Sequence, residues 1–219
     1  MKVKICCISS QEEASLALRY GADALGLVGP MPSGPGIISN ELIAAIAKQV
    51  PSDKDTFLLT SETTAAGVIA HHAKTNSRTI QLVNHLEPVE YTAIRSALPG
   101  IRLVQVIHVL GPESVDEARV AAQHVDALLL DSGSPNLATK ELGGTGRTHN
   151  WRVSREIVES CALPVWLAGG LNPENVESAI AAVKPYGIDI CSGVRSDGKL
   201  DVDKLQRFFA AIARSHQAN

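Results

Sequence analysis

The stretch PVWLAGGLNPENVESAIAAVKPYGIDICSG, residues 164–193, decides the fold. It opens on an apolar, β-rich run, PVWLAG (164–169), and closes on another, GIDICS (187–192). Between them, Asn172-Pro173 reads as an N-cap followed by proline at the first helical position. Val176, Ala179, Ile180 and Val183 then recur at i, i+3, i+4 and i+7, which puts them on one helix face. A strand, a helix and a second strand in that order form a parallel crossover, and such connections are right-handed.

Working outward, the same unit repeats. Further strand-like runs are VKICC (3–7), ADALGLV (22–28), TFLLT (56–60), TIQLV (79–83), RLVQVIHV (102–109) and DALLLD (126–131). They are apolar on both faces, as the strands of a covered parallel sheet must be. Helical stretches separate them. Ser10 to Glu13 and Ser114 to Glu117 both read S-x-x-E, the capping-box pattern. Leu205, Phe208, Phe209 and Ile212 give the last helix one apolar face. Eight strands and eight helices in strict order imply an α/β protein, a closed (β/α)8 TIM barrel, with residues 1–219 forming a single domain. An open doubly wound sheet is the alternative, but eight even units in 219 residues fit closure better.

Composition narrows the function. Net charge is −3 and aromatic residues make up 4%, so the chain offers no basic groove or stacking platform and is expected not to bind nucleic acid. No apolar run approaches the roughly 18 residues of a membrane span, and the N-terminus lacks the apolar core of a signal peptide. Four cysteines, at 6, 7, 161 and 191, are too few for a disulfide scaffold. A cytoplasmic globular protein, monomeric or homodimeric, is expected.

Barrel active sites lie at the C-terminal ends of the strands. Three glycine segments fall there: GGTGR (143–147), AGGLNPEN (168–175) and SGVRSDG (192–198). Glycine lets backbone approach a ligand, and free helix N–H groups favour an anion. A phosphate site is therefore expected on the backbone of Gly144, Gly146, Gly169, Gly170 and Gly193, with Ser192 as a hydroxyl donor and Arg147 and Arg195 adding charge. The irregular segment at 132–149 is long enough to be functional.

Asp131 ends an apolar strand at the barrel mouth, suited to acid–base work. The alternative is a carboxylate that caps the following turn. Strand parity places Lys4 and Cys6 inward, and Cys7 either faces the helices or starts the loop, as a small buried hydrophobe. A vicinal Cys pair lacks zinc spacing, and a bridge between neighbours would be strained. Cys6 thus reads as a proton-transferring thiol. If Asp189 points inward to Lys4, Cys191 also reaches the mouth. His108 is expected to line the pocket, and the His71-His72 pair to sit on a helix surface.

With KIC, LLLD, GGTGRT, LAGGLNPENV and SGV in order, and GADALG and KPYGIDICSGVR around them, the chain resembles the phosphoribosylanthranilate isomerase family of tryptophan biosynthesis from Lys4 to about Phe209. The resemblance implies an Amadori rearrangement of an aminoaldose phosphate to an aminoketose, without metal or organic cofactor. It assigns Asp131 as general acid, Cys6 as general base and the glycine segments as the phosphate site. The chain departs from the family pattern in three places. Cys7 stands where glycine follows the cysteine. Gly36 stands where an arginine grips the anthranilate carboxylate. In QLVN, Gln81 remains but Val83 replaces histidine. Arg147 or Arg195 is the expected substitute cation, and Gly36→Arg is expected to raise activity. An isomerase acting on a different aglycone, or a non-catalytic phosphosugar-binding barrel, are the alternatives. A binder would need neither Cys6 nor Asp131.

Overall fold

Alternating side chains along each strand have to satisfy two cores at once, and that requirement closes the sheet. In the computed structural model, which describes residues 1–32, 34–133 and 148–217, eight parallel strands pair in sequence order into a closed barrel. They are β1 (Lys2–Ile5), β2 (Ala24–Val28), β3 (Asp55–Thr60), β4 (Thr79–Leu82), β5 (Arg102–His108), β6 (Ala127–Asp131), β7 (Val165–Leu167) and β8 (Gly187–Ile190). The α-helices are α1 (Gln11–Arg19), α2 (Asn40–Gln49), α3 (Ala65–Thr75), α4 (Pro88–Ala97), α5 (Ser114–Ala121), α6 (Trp151–Ser160), α7 (Val176–Val183) and α8 (Val202–Gln217). A 3₁₀ turn, Ser192–Val194, and a short hairpin pairing 195–196 with 199–200 separate β8 from α8.

One set of strand residues, including Ile5, Leu25, Leu58, Ile80, Ile107, Leu130 and Ile188, packs outward against the helices. Burying each such side chain favours folding by about 1.5–3 kcal/mol. The alternate set, including Cys6, Phe57, Val104, Leu129 and Trp166, fills the barrel. Bulk is matched by absence of bulk there. A Cβ on Gly187 would lie 2.6 Å from the Trp166 ring, and one on Gly26 would lie 2.6 Å from the Cys6 sulfur.

The seam closes where β1 pairs with β8, in the register Lys4 to Asp189. Both side chains point into the barrel, and Lys4 Nζ lies 2.8 Å from Asp189 Oδ2 with the lysine fully buried. The ammonium also stands 5.2 Å from the Phe57 ring centroid. Burial pulls the Lys4 pKa down, but Asp189, aided by Cys6 and Cys7, reverses this and leaves it raised. The lysine therefore keeps its charge in the interior.

Several local details differ from the sequence reading. Ser10 caps α1 as expected, its Oγ accepting from Glu13 N at 3.2 Å. Ser114 does not cap α5. It lies inside the helix, accepting from Leu110 N and donating to the His108 carbonyl. Asn172 does not cap α7 directly, since its Oδ1 holds Glu174 N and Asn175 N in a turn that precedes Val176. Asn and Asp side chains favour such local turns over helix. His71 is not a surface residue. It is buried, with Nδ1 2.8 Å from Thr60 Oγ1 and Nε2 3.0 Å from Asn40 Oδ1.

The buried pair gives a test of the seam. Lys4→Met leaves Asp189 without its counter-ion and should cost about 3–5 kcal/mol in urea unfolding. The double variant Lys4→Met, Asp189→Leu should regain most of that loss. A double variant as unstable as the single would show that the charge imbalance is not its source.

Candidate active site

Parity brings the expected acid and thiol to the same end of the barrel interior. Cys6 follows β1, its N–H donating to the Ile190 carbonyl at 2.8 Å, and it packs with the interior cluster. Asp131 ends β6, directly opposite His108 of β5 in the ladder. Both Cys6 and Asp131 are buried.

Among the described residues, Asp131 pairs with no cation of its own. Its Oδ1 accepts from Ser132 N at 2.7 Å. Burial pushes its pKa up to about 6, and Asp189 adds to this, against the opposing effects of the Ser132 hydrogen bonds and Lys4. Lys4 is already held by Asp189, so its relief reaches Asp131 only in part. A carboxyl in this range can give up a proton near neutral pH.

Two further polar side chains line the interior. His108 Nε2 lies 3.2 Å from the Val83 carbonyl, and burial lowers its pKa, so the ring is neutral with Nε2 as donor. Its Nδ1 is buried with no partner among the described residues, and the same holds for Gln81 Oε1. Val83, at the position where the resemblance expects histidine, is buried in the same interior cluster.

Gly169 and Gly170, with φ of 83° and 62°, turn the chain sharply after β7. A Cβ at Gly193 would sit 2.9 Å from Asn172 Cα, so the loops after β7 and β8 interlock only because that Cβ is missing. Ser192 is exposed beside them. Gly144, Gly146 and Arg147 lie outside the described residues.

One expectation is narrowed and another corrected. Of the two places expected for Cys7, it does not face the helices but lies in the loop after β1. Its φ of 60° is left-handed, which turns the side chain back to the barrel mouth, where its sulfur meets that of Cys191 at 2.8 Å. Glycine enters this conformation freely, whereas another residue pays about 1–2 kcal/mol. Arg195 is not a free cation for a ligand. Its guanidinium pairs with Glu13 at 2.9 Å and donates to the carbonyls of Cys6, Cys7 and Gly198. Glu13 in turn accepts from Ser9 N and Leu200 N. Arg195 therefore ties the loop after β1 to the hairpin after β8.

The sequence reading missed His149. Its side chain is half-buried, with Nε2 2.7 Å from Ser154 Oγ and a buried Nδ1 that has no partner among the described residues. A Cβ on Gly169 would lie 2.8 Å from Nδ1, and burial lowers the His149 pKa to about 4. Its only sequence signal was its place at the end of the long segment after Asp131. Cys191, conditionally expected at the mouth, is there. Among the described residues, no group of three or more His, Cys, Asp or Glu side chains is arranged to hold a metal ion, and no helix is long and apolar enough to cross a membrane.

Comparison with known proteins agrees with this arrangement. The family model described as N-(5'phosphoribosyl)anthranilate (PRA) isomerase matches residues 3–211. An N-(5'-phosphoribosyl)anthranilate isomerase of Methanocella arvoryzae is 35% identical over 213 residues, covering 97% of this chain and 98% of its own. One from Nostoc punctiforme is 30% identical, with coverage of 97% and 98%. The crystal structure of phosphoribosyl anthranilate isomerase from Thermus thermophilus superposes with a TM-score of 0.81 at 28% identity, covering 98% of this chain and 99% of that one. A phosphoribosyl anthranilate isomerase in complex with reduced 1-(o-carboxyphenylamino)-1-deoxyribulose 5-phosphate matches at 26% identity, with a TM-score of 0.78 and coverage of 98% and 99%. With the match running across the whole barrel, the chain belongs to the N-(5'-phosphoribosyl)anthranilate isomerase family.

Proposed function

We propose that the chain isomerises N-(5'-phosphoribosyl)anthranilate, an aminoaldose phosphate, to the corresponding 1-amino-1-deoxyribulose phosphate in tryptophan biosynthesis. The carrying observation is a buried carboxyl poised near neutral pH at the same barrel end as an inward thiol. Asp131 gives its proton to the furanose ring oxygen. The C1–O bond breaks and the nitrogen lone pair closes a protonated Schiff base. Cys6 then removes the C2 proton, the electron pair forms the C1–C2 double bond, and the enolamine tautomerises to the ketone. A free thiol is only a few per cent thiolate at neutral pH, with pKa near 8.5. Lys4 stands close enough to Cys6 for the two to attract, so a negative charge there meets a buried cation. The loops at Gly169, Gly170, Ser192 and Gly193, with Gly144 and Gly146, take the phosphate. Gln81, His108 and Arg147 are assigned to the sugar and ring. Residues 1–219 act as one barrel in the cytoplasm, alone or as a homodimer, without a cofactor and without nucleic acid.

The aglycone end has been rebuilt. Gly36 has φ of 74°, and a Cβ there would lie 2.5 Å from Cys7 Cβ and 2.9 Å from its Cα. An arginine at 36 is refused by both backbone and space, so the expectation that Gly36→Arg raises activity is withdrawn. That variant should instead lower the melting temperature and leave turnover no higher. A rise in turnover would show that the loop bearing Gly36 re-forms around the longer side chain.

The direct test follows the loss of substrate fluorescence from freshly generated phosphoribosylanthranilate. Cys6→Ala should reduce turnover at least 10²-fold, a typical contribution from one acid–base group, while phosphosugar affinity changes by only about a few-fold. No turnover in the native chain, with ribose phosphate still bound, would point to a different aglycone.

Asp131 couples activity to stability. Its folded pKa of about 6 exceeds the ordinary value of 3.8. Its contribution to stability is therefore full below about pH 4 and is lost as pH rises through 6, leaving a deficit of roughly 3 kcal/mol at neutral pH. Asp131→Asn should abolish ring opening and yet raise the melting temperature at pH 7.5, with little gain at pH 4. Near-native turnover in that variant would remove Asp131 as the acid.

A further inference from the structure

Three of the four cysteines converge where β1 and β8 end, and the isomerisation uses only Cys6. Cys7 Sγ and Cys191 Sγ lie 2.8 Å apart. Ile5 pairs with Ile190 at the ends of β1 and β8, so the two segments leave adjacent strands. Little further movement would bring the two sulfurs from 2.8 Å to the roughly 2.05 Å of an S–S bond. The left-handed backbone of Cys7 creates this meeting, because a regular strand would have turned its thiol away.

The two thiols are unequal. Cys191 is half-buried and Cys7 is buried, so a small oxidant from solvent meets Cys191 first. The Cys7 hydrogen bond, with Arg195 and Lys4, draws Cys191 below the ordinary thiol range against the effect of burial. Hydrogen bonds that the Cys7 thiol makes to Cys191 and Cys6, together with burial, hold Cys7 well above it. This is the asymmetry of an attacking and a resolving thiol.

We propose that Cys7 and Cys191 form a dithiol redox site, oxidised by a peroxide to a reversible disulfide that pins the end of β1 to the loop after β8 and switches off the adjacent Cys6. The Cys191 sulfur attacks one peroxide oxygen. The O–O bond breaks, and the departing oxygen leaves as water with the proton that Cys191 released. The Cys7 sulfur then attacks the resulting sulfenic sulfur. An S–S bond forms, the S–O bond breaks, and a second water leaves with the Cys7 proton. Two thiols lose two electrons and two protons, and the peroxide becomes two waters. Cys6 has no slack to absorb the movement, because its sulfur packs against Gly26 and both its carbonyl and that of Cys7 are held by Arg195. A transient, sensing disulfide is the kind expected in a reducing compartment.

The test treats reduced full-length protein with stoichiometric hydrogen peroxide and reads mass and turnover together. The expected product is lighter by about 2 Da, the two thiol hydrogens. Peptide mapping should join Cys7 to Cys191, and dithiothreitol should restore both mass and turnover. Cys191→Ser should keep basal turnover and form no cross-link, and Cys7→Ser should likewise fail to cross-link. A bridge mapped to Cys6 or Cys161, oxygen addition without a bridge, or a bridge in the Cys191→Ser protein overturns the dithiol site. A Cys7–Cys191 bridge with undiminished turnover overturns the switch. Only the turnover arm rests on the isomerase reading, and a protein inactive before oxidation fails that reading while the mass still decides the site.

Discussion

The ion pair between Lys4 and Asp189 sets the terms for the rest of the barrel. It spans the closing seam, and its two members occupy the same rung of β1 and β8. Taking two charges out of water costs several kcal/mol per ion, and their attraction repays this only when the geometry is good. The pair is therefore a poor source of net stability and a strong constraint on register. A slip of one residue would flip Lys4 outward against the helices and leave Asp189 alone in the core. The same rule carries Cys6 inward two residues beyond Lys4.

Above that pair, the mouth is assembled from small residues that concede space to specific neighbours. Gly26 yields to the Cys6 sulfur, and Gly36 yields to Cys7. The second concession is linked to the first departure from the family pattern. Once position 7 bears a side chain in a left-handed conformation, the chain at 36 must lack one. Two substitutions that look independent in sequence, Cys7 for glycine and Gly36 for arginine, are then one packing exchange. The charge lost at 36 is not returned by Arg195, which is held between Glu13 and the carbonyls of the β1 loop.

The barrel was legible because its signals are local and repeated. Strand runs apolar on both faces and helices with one apolar face suffice to order eight units, and period-two parity alone carried Cys6 and Lys4 inward. Asp131 was legible as the last residue of an apolar strand. What failed was non-local or depended on backbone torsion. Nothing in KICCIS announces that Cys7 adopts φ of 60°, because parity assumes an unbroken strand. Arg195 looked free because its partner Glu13 is 182 residues away in sequence. His71 looked exposed beside a second histidine, while Thr60 and Asn40, from β3 and α2, fix it in place. Ser114 and Asn172 carried correct capping chemistry that the structure used for turns instead.

Among the described residues, two carboxyl groups, Asp131 and Asp189, and the ammonium of Lys4 lie inside the barrel. Lys4 touches Asp189, and it lowers the Asp131 pKa less than burial and Asp189 raise it. With the lysine committed to Asp189, burial of Asp131 is offset only in part, and its pKa stands at about 6. The closure of the barrel and the acidity of Asp131 thus follow from the same choice of partner at Lys4.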